Sequence, residues 1–201
     1  MLTLTSKPVA AKLHEKTAER TRAFTQKFGR APKLVVVLVG GDPASQIYTS
    51  RKGAAATAAG MLHETIALPD TSSPETVQAT VQRLNRDATV DAILIQRPLP
   101  RGFVEEDVLY WVTPEKDVDA FHPANAGRLF LGLPAFQPCT PSGVMAMLDH
   151  YKIPVAGKTA CVIGRSSIVG KPMAALLLRA DATVIQCHSR TKPLEAFTRQ
   201  A

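Results

Sequence analysis

The sequence predicts an α/β fold of two three-layer α/β/α domains, the first with a mostly parallel sheet, and three observations carry that expectation. Helical patterns alternate with short apolar runs along most of the 201 residues; the clearest run, 34–39, carries no polar alternation; and residues 159–163 lead through a glycine into a further helical pattern. Alternation with short connections calls for right-handed crossovers between parallel strands, and a run without polar residues suits a strand covered on both faces.

Residues 8–28 read as a helix: Val9, Leu13, Ala18, Ala23 and Phe24 share a stripe, Pro8 suits the first turn and Gly29 stops it. The strand 34–39 gives way to Gly40, Gly41, Asp42 and Pro43. Asp42 is placed to cap a helix with Pro43 at its first position, running to about residue 59 and stopped by Gly60. A weaker strand pattern covers 61–68. Ser73 and Pro74 open the next helix, with Val77, Val81 and Leu84 inward, and 90–95 forms a third strand closed by Arg97, Pro98, Leu99 and Pro100.

The stretch 101–139 is less regular, with a short helix near 105–110 and a loop carrying Pro114, Lys116, Asp117, Asp119, His122, Pro123, Asn125 and Gly127. Loops this long inside a compact domain are often functional. Thr140 or Ser142 caps a helix bearing Val144, Met145, Leu148 and Tyr151, and the alternation then restarts, with strands at 159–163 and 182–187 and helices at 168–178 and 193–200. The boundary is expected near 140, giving domains 1–140 and 141–201. The second is short for a doubly wound domain, which normally continues through several more strands.

With 45% apolar and 20% charged residues, the chain can bury a core and is unlike a disordered or fibrous protein. No run approaches the roughly 18 apolar residues of a membrane span, and residues 1–9 hold no long apolar region ahead of a cleavage-like site. Cys139, Cys161 and Cys187 are widely spaced and outside any CxxC, which favours a reducing cytoplasm over a disulfide framework. Lys plus Arg number 24 against 17 Asp plus Glu, a net charge of +7. The cations are scattered, without a like-charge block or interleaved aromatics, which argues against nucleic acid and membrane partners and for a pocket that takes an anionic small molecule.

The strongest local signal is 162–172, VIGRSSIVGKP. A strand runs into Gly164, a hydroxyl-rich turn and a helix whose start holds Gly170, an arrangement whose backbone N–H groups can hold a phosphate, as in a Rossmann-like domain. The following strand ends at Cys187, where an NAD site usually presents an acid to the ribose; here His188, Ser189, Arg190, Thr191 and Lys192 follow. With Arg165 and Ser166 opposite, cations and hydroxyls replace the acid, which suits a 2′-phosphate and prefers NADP to NAD.

Tyr48 and Lys52 are four apart on one predicted helix and project from one face. Such a lysine can exchange protons and such a tyrosine can stack on a planar substrate, though the spacing alone favours an ordinary surface pair with the lysine solvated. Gln96 ends an apolar strand, an odd choice unless its amide is used, and Asp117 and Asp119 lie on the long loop, where a carboxylate can accept two donors from an amino-pyrimidine-like edge. The five histidines make no metal spacing, so no metal is expected. Neither GxSxG nor GxxxxGK[ST] occurs.

Five segments, 38–48 (LVGGDPASQIY) with Lys52, 95–100 (IQRPLP), 116–123 (KDVDAFHP), 138–143 (PCTPSG) and 162–172, stand in one order along the chain. Together they closely resemble the bifunctional methylenetetrahydrofolate dehydrogenase/methenyltetrahydrofolate cyclohydrolase family. The resemblance implies a folate-binding catalytic domain followed by a Rossmann-like NADP-binding domain, shortened here at its C-terminal side. It also implies two steps of one-carbon metabolism on tetrahydrofolate derivatives, and a homodimer. By resemblance Lys52 is the central catalytic residue, Tyr48 stacks on the folate, Gln96 hydrogen-bonds Lys52 and Asp119 anchors the pterin ring. Gly164, Arg165 and Ser166, with Ser189 and Arg190, hold NADP.

Three positions depart from the family pattern. Arg97 stands where an apolar residue is usual, Ala120 replaces the usual glycine after Asp119, and Gly53 puts a weak helix former beside Lys52. Two other classes of function compete: a catalytically silent folate- or NADP-binding module, and a fragment that completes itself by pairing with another chain.

Overall fold

A computed structural model describes residues 3–201; Met1 and Leu2, the start of the first expected domain, lie outside the described residues. The chain divides into two units, Ala10–Val118, and the residues up to Val9 together with Asp119–Ala201. Helix α1, Ser6–Phe28, leads into β1, Lys33–Val39, α2, Pro43–Ala58, β2, Leu62–Leu68, α3, Pro74–Arg86, β3, Ala92–Ile95, and the short α4, Glu105–Val108. The strands pair in parallel in the order β2-β1-β3. The expected caps are in place: the Asp42 carboxylate accepts from the Ser45 N–H, and the Ser73 hydroxyl from that of Thr76.

Period-two alternation decides what each face of this sheet meets. Val35, Val37 and Val39 of β1 join Ile93 and Ile95 of β3, Val77, Val81 and Leu84 of α3, and Trp111 in one buried cluster. The opposite face carries Leu34, Val36 and Leu38 beside His63, Thr65 and Ala67 of β2 and beside Ala92 and Leu94 of β3. Helix α2 covers that face with short buried residues, Ser45, Thr49, Gly53 and Ala56. Gln96, two residues beyond Leu94, continues the ladder by donating its N–H to the Val37 carbonyl at 2.9 Å, so its side chain shares the α2 face.

In the other unit α5, Pro123–Phe130, and α6, Cys139–His150, precede β4, Thr159–Ile163, α7, Gly170–Arg179, β5, Thr183–Cys187, and α8, Glu195–Thr198. Strands β4 and β5 pair in parallel, and Leu129, Met173, Leu176, Leu177 and Ala182 form the core.

Several elements differ from expectation. The stretch read as loop around 114–127 runs into α5, because the His122 ring supplies its cap: Nδ1 accepts the Ala124 N–H at 3.0 Å, a job the usual hydroxyl or carboxylate residues signal in a sequence. Helix α6 starts at Cys139 without a side-chain cap, since the Ser142 hydroxyl bonds Gln137 instead of the backbone. The strand expected at 90–95 is shorter, and the helices expected at 168–178 and 193–200 begin later.

Candidate active site

Asp42 fixes the start of α2: its carboxylate accepts the Ser45 N–H at 2.7 Å, and hydrogen bonding with Ser45 holds its carboxyl below the usual carboxylate range. Further along α2, Lys52 Nζ donates to Oε1 of Gln96 at 3.0 Å. Gln96 is only 7% exposed, and its Nε2 donates to the Arg97 carbonyl at 2.6 Å. That second bond fixes the amide so that its oxygen, which can only accept, faces the lysine. The Ser45 hydroxyl donates to the same carbonyl at 3.4 Å. Tyr48, one turn before Lys52, remains 58% exposed, its ring available for stacking.

The parts of this arrangement that sequence reasoning missed are the Arg97 carbonyl and the Ser45 hydroxyl. Ser45 had a signal, since Ser45, Thr49 and Gly53 follow one another at helical spacing on the buried side. Arg97 pairs with Glu105 at 2.6 Å. Asp119 opens the other unit and is half-buried; Ala120 after it is buried with φ 58°, the left-handed region in which glycine is the easier residue.

The cofactor candidates come together through sheet register. Ile163 pairs with Cys187, so the loops leaving β4 and β5 start side by side, joined by the Gly164 N–H donating to the Cys187 carbonyl at 2.8 Å. Gln186 Nε2 holds the Gly164 carbonyl at 3.1 Å. Gly170 is packed on this turn, and a Cβ there would run into the Gly164 carbonyl and lie 2.7 Å from the Arg165 nitrogen. The Ser166 hydroxyl accepts from the N–H groups of Val169 and Gly170 at 3.2 and 3.3 Å, leaving its proton to donate.

Arg165, Ser189 and Arg190 are exposed around this turn, and residues 188–192 contain no acid. A glycine turn flanked by cations suits a dinucleotide bearing an extra phosphate. The Cys161 and Cys187 sulfurs lie 3.7 Å apart, and burial, then the bond with Cys161, pushes the Cys187 thiol up. Among the described residues no helix is long and apolar enough to cross a membrane, and no group of three or more His, Cys, Asp or Glu could hold a metal ion.

Residues 4–119 match the tetrahydrofolate dehydrogenase/cyclohydrolase catalytic domain, and residues 138–201 match the NAD(P)-binding domain of the same enzymes. The chain belongs to the tetrahydrofolate dehydrogenase/cyclohydrolase family. A relative in that family, the bifunctional protein FolD of Streptococcus suis, is 47% identical over the whole of this chain, which covers 71% of the relative. The crystal structure of the bifunctional FolD methylenetetrahydrofolate dehydrogenase/cyclohydrolase from Campylobacter jejuni aligns with a TM-score of 0.94 at 43% identity, covering 98% of this chain and 70% of that one. The Trypanosoma brucei family member, solved with NADP cofactor and inhibitor, aligns with a TM-score of 0.93 at 31% identity, covering 100% and 69%.

Proposed function

We propose that this protein oxidises 5,10-methylenetetrahydrofolate to 5,10-methenyltetrahydrofolate with NADP and hydrolyses that product to 10-formyltetrahydrofolate. The observation that carries the reading is the 3.0 Å bond from Lys52 Nζ to an amide oxygen that is itself held in place. A lysine held by a neutral acceptor keeps its remaining positions for substrate.

In the hydrolytic step water adds to the amidinium carbon between the two folate nitrogens. Lys52 takes the first proton that the attacking water loses and returns it to the ring nitrogen as its bond to that carbon breaks; the collapsing hydroxyl gives its remaining proton to solvent, so the cation becomes a neutral formyl product on the other nitrogen with one proton released. Gln96 aims the amine, Tyr48 stacks on the folate ring and Asp119 accepts from the pterin N–H groups. For the oxidation, NADP supplies the hydride acceptor when bound. Gly164 and Gly170 allow close approach of the backbone, Ser166 donates its proton, and Arg165, Ser189 and Arg190 take the 2′-phosphate. The division of labour in this reading is folate and catalysis on residues 1–140 and NADP on 141–201.

The reading extends to a homodimer in the cytoplasm. Phe130 and Leu131 expose 78% and 69% of their surface, which supports a covering partner. Sedimentation equilibrium giving the mass of one chain would refute the dimer, and fractionation with the membrane would refute the location. The function is tested by Lys52→Ala, for which hydrolysis of methenyltetrahydrofolate is expected to fall by about 10² to 10⁴-fold with NADP affinity unchanged. A variant that keeps more than about a tenth of the wild-type rate removes Lys52 from the proton-transfer role.

A further inference from the structure

Gly53 is buried in the middle of α2, an unfavourable place for glycine in a helix. His63 explains it: a Cβ on residue 53 would lie 2.6 Å from Cε1 and 2.7 Å from Nδ1 of the imidazole. The ring fills the notch that the missing side chain leaves. On this face of β2 the residues that follow at strand spacing, Thr65 and Ala67, are smaller, so His63 is the bulkiest of the three side chains on the α2 side. Its Nε2 is buried with no hydrogen-bond partner, so fit and not a bond through that atom keeps the ring there.

Strand β1 is central, with β2 on one side and β3 on the other. Helix α2 meets β2 through Gly53 and reaches to Gln96, beyond β3, through the adjacent Lys52. Neighbouring residues on one helix move together, so a change in the height or rotation of α2 at residue 53 displaces Lys52 from the amide oxygen. We propose that His63 is a positioning residue for Lys52: its ring, seated against Gly53, sets the pose of α2 and hence the Lys52–Gln96 bond. The proposal rests on the reading that Lys52 carries the proton in the hydrolytic step.

The test is a double-mutant cycle on the purified protein with methenyltetrahydrofolate as substrate, read as kcat and KM, with thermal midpoint and NADP titration alongside. Gly53→Ala is expected to lower kcat about tenfold or more with KM and NADP affinity unchanged, because the added methyl lifts α2 off the ring. Gly53→Ala with His63→Ala is expected to recover to within about threefold of wild type, since alanine at 63 makes room for alanine at 53. His63→Ala alone is expected to lose kcat about three- to fivefold, and this arm stands if Gly53→Ala does not fold. Full activity in either single variant, or a double variant no faster than the slower single one, overturns the proposal. Lys52→Ala separates the two readings: an active Lys52→Ala enzyme defeats the functional assignment, whereas an inactive one beside a fully active Gly53→Ala defeats this inference alone.

Discussion

Lys52 and Gln96 meet through a single hydrogen bond of 3.0 Å across 44 positions of sequence, and the far end of the Gln96 amide is tied to the Arg97 carbonyl. Removing the amide should therefore loosen the lysine without removing it. Gln96→Ala is expected to lower hydrolytic kcat about tenfold, the low end of what a hydrogen bond to a charged group is worth, and less than Lys52→Ala does. Steady-state kinetics at saturating substrate decide it; an unchanged kcat means that other contacts hold the lysine in place.

Cofactor preference should follow Arg165. If its guanidinium makes charge-assisted bonds to the 2′-phosphate, Arg165→Ala weakens NADP binding by about tenfold or more and leaves NAD nearly unaffected. Ser189→Ala should act in the same direction and more weakly. Isothermal titration with both dinucleotides is the measurement, and equal losses for the two would falsify the 2′-phosphate assignment.

Acid sensitivity should come in part from Asp91. Both of its oxygens accept from Arg30, at 2.6 and 2.8 Å, and one also accepts the Lys33 N–H at 2.8 Å. The Arg30 bond above all holds the Asp91 carboxyl below the usual range. A lowered folded-state value means that this stabilisation is complete above the unfolded carboxyl value, about pH 3.9, and is lost as pH falls through the folded one. Asp91→Asn should lower the urea midpoint by roughly a few tenths of a molar at pH 7. The gap from wild type should close toward pH 2, and a gap independent of pH would show that the charge contributes nothing.

The end of α6 offers a stabilising change. Lys152 follows the last helical turn with φ 53°, its N–H donating to Asp149 at 3.0 Å and that of Ile153 donating to Leu148 at 2.9 Å. This is the left-handed closure in which glycine avoids a Cβ penalty, and Lys152 is exposed, so little packing is lost. Lys152→Gly is expected to stabilise by about 0.5 to 1 kcal/mol, seen as a raised thermal midpoint. A lowered midpoint would place the lysine side chain in a stabilising role.

Much of the fold is local and therefore legible. Asp42 with Pro43, and Ser73 with Pro74, announce helix starts because a cap acts on N–H groups two or three residues away. The apolar run at 34–39 reports a strand covered on both sides, and Val35 to Val39 are all buried in β1. The glycine turn after β4 is legible for the same reason, since its chemistry is carried by consecutive backbone groups. Helix α5 escaped because its cap is an imidazole, a residue with little capping tendency, acting where prolines and polar residues suggested only loop.

The sequence by itself determined the alternation of strands and helices, the glycine turn with its cations, and the presence of a lysine, a tyrosine and a strand-ending glutamine, because each depends on neighbours along the chain. Only the tertiary structure decided that β1 lies between β2 and β3, which puts Gln96 on the α2 face and within reach of Lys52. The same packing turns Gly53 from a weakness in a helix into the notch that receives His63. Such contacts form between segments far apart in sequence, and they are fixed by strand order, register and the distance at which a helix rests on a sheet, none of which local periodicity encodes.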